Sequence, residues 1–410
     1  MRFIPCQYIS MEALMLNRRT LLGGAALAAA APLLAGLPAQ AAAAPSLAVD
    51  LVNRRSGESL YAHFMGLDHA TGRWFFLAAD ARTRVYPGSP TSPMTPLSRS
   101  VGIPLAAAGT RKSISIPAMD SGRVYFSVGR ALKFFVNPGG GIVTPSVANP
   151  ADANADLEWA FCELTFDANG LYANISFVDF VSVAIGLTLD TTTGQQTVGG
   201  LIPTGLQKVA TGLTSQAAKD NPGWRDPIVS AQGKVLRVLS PNLARELPAW
   251  TGRLEGYLNP YIAQCWQKYR STDLRIDTQS MWGKVTGRVG SDGVLRFPGI
   301  GGFAQPSSAA VFNCSIPPFV TTNDAMGNLT ARLAAALNRG TLLANANQPD
   351  ATSGSFYRVP LTNHYARLIH SATTGGAGYA FPYDDVHSDG YNTEGRVVDQ
   401  RPTKLTIRVG

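Results

Sequence analysis

Charge is scarce in this 410-residue chain: Asp, Glu, Lys and Arg make up 15% of it, against roughly 25% in an average soluble domain. Cysteine is scarcer still. Of four, Cys6 falls in an N-terminal leader, which leaves Cys162, Cys265 and Cys314, too few for a disulfide framework. Outside the cytoplasm two of these can pair, and Cys265 with Cys314 is the expected pair, with Cys162 buried and free. The five histidines show no ligand spacing, and neither HExxH nor CxxC occurs, so neither a metal nor a cofactor is expected. There is no G-x-S-x-G elbow and no convincing Ser/His/Asp set, which argues against an esterase or protease. The formal net charge of +8 is scattered rather than gathered into a basic stripe with interleaved aromatics, so nucleic acid is not an expected partner. Internal repeats and a second membrane-length apolar run are also missing.

What is present begins with the leader. Asn17-Arg18-Arg19-Thr20-Leu21-Leu22-Gly23-Gly24 precedes an Ala-rich apolar run from Ala25 to Leu37, and Pro38-Ala39-Gln40-Ala41 offers an Ala-x-Ala cut. A twin arginine, a short apolar region and small residues at the cleavage point make residues 1–43 a twin-arginine signal peptide. The run is too short for a confident span of about 20 residues, so a secreted protein, off the membrane after cleavage and monomeric, is expected over an anchored one.

The rest reads as mainly β with an inserted α/β domain. With 41 Gly and 27 Pro, residues 46–145 break into short strands, including Ser59–Gly66, Trp74–Ala79 and Arg123–Val128. Trp159–Phe166 and Leu171–Phe180 follow, joined by a turn at Asp167-Ala-Asn-Gly170. Helical spacing then appears over Leu206–Ala218, Asn242–Leu247, Pro260–Tyr269 and Asn323–Asn338. Strand signals return near Ser355–Val359 and end in the alternation of Lys404–Val409. The predicted organisation is a β-sandwich or barrel from 44–190 and 355–410, an α/β insert over 191–354, and a cleft between them as the ligand site.

Two strands carry the candidate chemistry. In Trp159-Ala-Phe-Cys-Glu-Leu-Thr-Phe-Asp167, a period of two puts Ala160, Cys162, Leu164 and Phe166 on a core face. Trp159, Phe161, Glu163, Thr165 and Asp167 share the other. Rings, a hydroxyl and carboxylates on one face suit a sugar, whose C–H faces stack and whose hydroxyls hydrogen-bond; the same row also reads as an ordinary solvent face. In the next strand Leu171, Ala173, Ile175 and Phe177 form an apolar row that Asp179 ends, either at a sheet rim with a partner or as a turn cap. Tyr172, Asn174 and Ser176 face the other way. Two carboxylates brought together on neighbouring strands are the minimum equipment for glycoside hydrolysis, one as acid and one to activate water. Near the C-terminus, Gly378-Tyr-Ala-Phe-Pro-Tyr-Asp-Asp-Val386 offers Asp384 and Asp385 to a sugar, or forms an Asp-rich turn. Asn363–His370 reads as a short helix with structural histidines.

These segments resemble the thaumatin-like superfamily in Cys162-Glu163-Leu164-Thr165, in Tyr172 to Asp179 and in Tyr379 to Asp385. They are more similar to glycoside hydrolase family 64, the laminaripentaose-producing β-1,3-glucanases, along nearly the whole chain: Gly66-Leu-Asp, Gly72-Arg-Trp74, Gly122-Arg-Val-Tyr-Phe-Ser127, Asn174 to Phe180, Val235 to Pro241 and Asn363-His-Tyr365. The resemblance implies a β-sandwich plus α/β domain around a wide groove, no cofactor, and endo-type cleavage of β-1,3-glucan by inversion. It implies Glu163 as general acid and Asp179 as general base, with sugar contacts from Thr165, Asp167, Tyr172, Ser176, Asp384 and Asp385. Tyr172 stands where a Trp is often found, and Leu164 replaces the usual Phe. A non-catalytic, thaumatin-like glucan-binding or antifungal protein is the alternative expectation.

Overall fold

The computed structural model describes residues 45–321, 323–350, 353–388 and 395–410; the signal-peptide assignment to 1–43 lies outside them. From residue 44 onward the chain is one compact unit. Its frame is two sheets. One holds Ser46–Asn53, Arg111–Pro117, Ile185–Thr191, Gln195–Val198 and Pro402–Val409, with the C-terminal strand parallel to the first and central beside it. The other runs Arg396–Asp399, Gly170–Ile175, Trp159–Asp167, Met119–Val128, Leu60–Asp68, Trp74–Leu77, Arg84–Val85. The first and last described strands, Ser46–Asn53 and Pro402–Val409, therefore lie side by side in one sheet. The alternating rows explain the packing: Leu47, Val49 and Leu51 from the first sheet share a buried cluster with Phe64, Val124, Cys162, Leu164 and Ala173 from the second. One face of each strand is apolar, and burying it removes that surface from water at about 25 cal/mol per Å².

The helical signals between residues 200 and 340 hold. Helices span Gly205–Lys219, Asn259–Lys268 and Asp324–Arg339, and a single turn covers Pro241–Ala244. Asn323 caps the longest by accepting from the Met326 amide at 2.9 Å, and Gly340 ends it at φ +72°. Asn363 likewise caps His364–Ala372. Two expectations fail here. Ser355–Val359 is not a strand; the backbone there forms a short 3₁₀ turn at Ser353–Ser355 and then bends. Cys265 and Cys314 are not paired. All three thiols from residue 45 onward are free and buried in the core. Burial pushes Cys162 and Cys265 up to about 12, so these behave as small apolar residues. A thiol reagent should label none of the three in the native protein and all of them in denaturant; a non-reduced mass two hydrogens light would contradict this.

Candidate functional site

The site is built from strand register. Glu163 stands directly opposite Arg123 on one neighbouring strand and Asn174 on the other. Directly opposite residues in an antiparallel pair point to the same face, so the three side chains meet. The Arg123 guanidinium donates to Glu163 Oε1 at 3.2 Å, and the Asn174 amide donates to Oε2 at 3.4 Å. Glu163 keeps 21% of its side chain exposed. The expected inner row of this strand, Ala160, Cys162, Leu164 and Phe166, is buried in the main core.

The outer row needs a correction. Trp159 and Phe161 are not open platforms for a sugar; they are 2% and 5% exposed, packed with Tyr125, Phe134, Phe180 and Leu239 in a second apolar cluster. Alternation gives the side of the sheet and not whether another element covers it. Here Phe180, which lies within ring-contact distance of both, and Leu239 and Ala244 from farther along the chain share the cluster that covers the start of the strand. The face opens at Glu163 and continues through half-buried Thr165 and Asp167.

Asp179 arrives by a route the sequence did not predict. A strand continuing through Leu171–Phe180 would have carried it on the core-facing row. Instead the strand ends at Ile175, Ser176 bridges to Tyr379, and 178–179 bend before Phe180–Val181 joins a different sheet. Three bonds hold the break: the Phe177 amide donates to Tyr379 O at 2.7 Å, Tyr365 Oη donates to Phe177 O at 2.7 Å, and the Ser240 amide donates to Asp179 O at 2.8 Å. Asp179 is left half-buried, close enough to Arg123 and Glu163 to feel both charges. Burial raises its carboxyl above the ordinary range; Arg123 opposes this and Glu163 adds to it. Glu246, just past the Pro241–Ala244 turn, is raised in the same way by burial and then by Asp179.

The remaining candidates divide. Thr165 and Tyr172 are opposite one another and half-buried beside Glu163. Asp167 is tied into its turn, accepting from the Asn169 amide at 2.7 Å. Gly170 closes that turn at φ +124°, where a Cβ would lie 2.2 Å from Asp399 O. Ser176 and Asp385 come together through Tyr379, whose hydroxyl donates to Asp385 Oδ1 at 3.1 Å. Asp384 is the correction: it is 0% exposed and bound to Arg339 and His370, each at 2.9 Å, so no sugar reaches it. Asp384 is turned inward onto Arg339 and His370, while Asp385 stays half-buried. Arg123 and Glu246 were missed by the sequence reading. Arg123 had a signal, a lone cation inside an apolar strand; Glu246 had none.

Two other features are near at hand. His69, Asp120 and Asp167 bring ligand atoms within 4.8 Å of one another at the far end of these strands, the geometry of a surface His–Asp ion pair beside a turn carboxylate. A concavity of about 700 Å³ is lined by Arg55, Glu158 and Lys234 but by neither Glu163 nor Asp179. Glu158 there is bound by both Arg55 and Lys234.

A family model described as Beta-1,3-glucanase matches residues 45–409. Two proteins named glucan endo-1,3-beta-glucosidase, from Arthrobacter sp. (strain YCWD3) and Cellulosimicrobium cellulans, are each 29% identical over 395 residues, covering 94% of this chain and 69% of theirs. A laminaripentaose-producing beta-1,3-glucanase, solved with laminaritetraose, superposes with TM-score 0.77 at 32% identity over 88% of this chain and 98% of that one. The GH64 beta-1,3-glucanase domain from Clostridium beijerinckii shares the fold at TM-score 0.67 and 19% identity, over 89% and 98%.

Proposed function

Since this chain belongs to glycoside hydrolase family 64, the β-1,3-glucanases, we propose that it is an exported, monomeric enzyme that cuts β-1,3-glucan into short oligosaccharides by inversion. Membership in a family of hydrolases removes the non-catalytic glucan-binding alternative. The observation that carries the mechanism is the shared field of two carboxyls: Glu163 and Asp179 lie near one guanidinium, Arg123, on the face where the sheet opens.

In the proposed step Glu163, protonated, gives its proton to the glycosidic oxygen as the C1–O bond breaks. Asp179, ionised, takes a proton from a water whose oxygen bonds to C1 on the opposite face of the ring. One bond to C1 is lost and one is gained, the new reducing end has inverted configuration, and solvent then returns the proton to Glu163 and removes the other from Asp179. A carboxylate held in a poorly hydrated place is a stronger base than a free one, which suits the Asp179 role. Thr165, Tyr172, Ser176 and Asp385 line the approach and are proposed to bind sugar hydroxyls; Asp167 would do so at the far end of the strand.

The test is the stereochemistry of the product. NMR during the first turnovers of laminarin should reveal the α-anomer before mutarotation. Asp179→Asn should lose at least about 10²-fold in rate, and added azide, a nucleophile that needs no base, should restore turnover as an α-glycosyl azide. Early β-anomer, or a β-azide, rules out inversion by this pair. Export predicts that the protein in culture medium begins near residues 42–44.

A further inference from the structure

Arg123 sits in a strand that otherwise has little use for a cation. Gly122 precedes it at the point where the pairing with the Glu163 strand slips by a residue; a side chain at 122 would meet the Leu164 carbonyl oxygen at 2.8 Å. Arg123 is 16% exposed, its guanidinium carbon is 4.4 Å from the centre of the Phe161 ring, and it reaches Glu163 at 3.2 Å. Holding a long cation this way costs side-chain entropy and hydration. The chain also contains a structural arginine for contrast. Arg237 is 1% exposed and bonds to the backbone carbonyls of Val147 at 3.3 Å and Ala155 at 2.9 Å. Arg237 ties loops to the core, whereas Arg123 is turned toward the acids.

We infer that Arg123 is a positioning residue: clamped between the Phe161 ring and the Glu163 carboxyl, its guanidinium aims the Glu163 side chain over the open face and meets the negative charge that appears there as the proton leaves. The inference rests on the acid–base reading above. Glu163 ends proton transfer as a carboxylate, so a donor already directed at it binds the transition state better than the starting state, in which the acid is neutral. Stacking on Phe161 restricts the guanidinium beforehand, so little reorganisation is needed during the reaction. The same charge acts on Asp179. Burial raises that carboxyl, and Arg123 pulls it down toward the ionised form a base requires. The other titratable groups facing this arrangement are Tyr125 on Arg123's own strand, Glu246 past the Pro241–Ala244 turn and Tyr365 on the following helix.

The test uses Arg123→Met and Arg123→Lys in the mature protein, with laminarin as substrate. Arg123→Met should keep KM within about threefold and lose on the order of 10²-fold in kcat, the scale of a misdirected acid. Its acidic limb, set by Asp179 ionisation, should move to higher pH by roughly one unit, because a positive charge that favoured the carboxylate is gone. Arg123→Lys should return the limb to its place but only part of kcat, since an ammonium supplies charge without the planar fork. A purely structural arginine would alter melting temperature and leave the pH profile alone. The inference is overturned by an Arg123→Met enzyme with kcat within threefold of the parent, or by a kcat loss with an unmoved acidic limb. If Arg123→Met does not fold, Arg123→Lys decides: about tenfold lower kcat at unchanged KM supports positioning, and parental kcat overturns it. Glu163→Gln and Asp179→Asn are assayed alongside. Should these retain turnover, the carboxyl pair itself is misassigned; should they be inactive while Arg123→Met is normal, only the role of Arg123 fails.

Discussion

Glu163→Gln should lower turnover of laminarin and curdlan by about 10³-fold or more while glucan affinity stays within about threefold, general acid help being worth roughly 10²–10⁴. The substitution is nearly isosteric. Its amide oxygen can still accept from Arg123, and the loss of the second acceptor toward Asn174, a bond of 3.4 Å, weakens only one contact. Folding should therefore survive and the proton alone is removed. Substrates whose leaving group needs no proton, such as aryl glycosides of acidic phenols, should close most of the gap, because the missing function is then unnecessary. Asp179→Asn should behave oppositely, remaining slow on those substrates and responding to azide. Substantial hydrolysis of laminarin by Glu163→Gln, or failure of an activated leaving group to help it, would remove Glu163 from the acid's role.

The largest effect on stability should come from the other aspartate that the sequence had marked for sugar. Asp384→Ala leaves Arg339, 3% exposed, and His370, 14% exposed, facing a vacated position. Breaking one partner out of a buried ion pair costs about 3–5 kcal/mol, about 4–7 °C in melting temperature for a chain of this size. The pH dependence follows from the same network. Burial would by itself raise Asp384, but His370, Arg339 and the Ala380 amide hold it below its usual range. Its contribution is present above the unfolded carboxyl value near 3.9 and is lost as pH falls through the lower folded one. Burial would lower His370, yet Asp384 outweighs it and raises the imidazole. That contribution is complete below the unfolded value near 6.5 and disappears as pH rises through the higher folded one. Melting temperature of the parent should decline on the alkaline side of neutrality, and Asp384→Ala should flatten that decline while lying lower throughout. A variant melting within about 2 °C of the parent at pH 6 would mean that the three charges do not act as a unit, since breaking them apart is worth at least about twice that shift.

Much of this molecule follows from local rules. A period of two was enough to find the strands Trp159–Asp167 and Pro402–Val409, and Asn323 with Gly340 bounded the longest helix because caps satisfy backbone groups that a helix leaves open. Glu163 could be placed on the polar side of its strand for the same reason: alternation is dictated by the backbone itself. Distant contacts decided the rest. Whether Trp159 and Phe161 see solvent depends on partners outside their own strand, Tyr125, Phe134, Phe180, Leu239 and Ala244. Asp179 comes within electrostatic reach of Glu163 where Tyr379, Tyr365 and Ser240 interrupt a strand that its own sequence would have continued. Cys265 and Cys314 suited a bridge by count, yet packing buried them separately. Asp384 and Asp385 are indistinguishable in the sequence, and Arg339 with His370 drew one of them inside. Residue patterns thus determined most of the strands and helices and the polar side of the strand on which Glu163 stands. Tertiary packing decided which faces stay open and which charges meet, because burial and long-range pairing depend on chain segments that local periodicity does not connect.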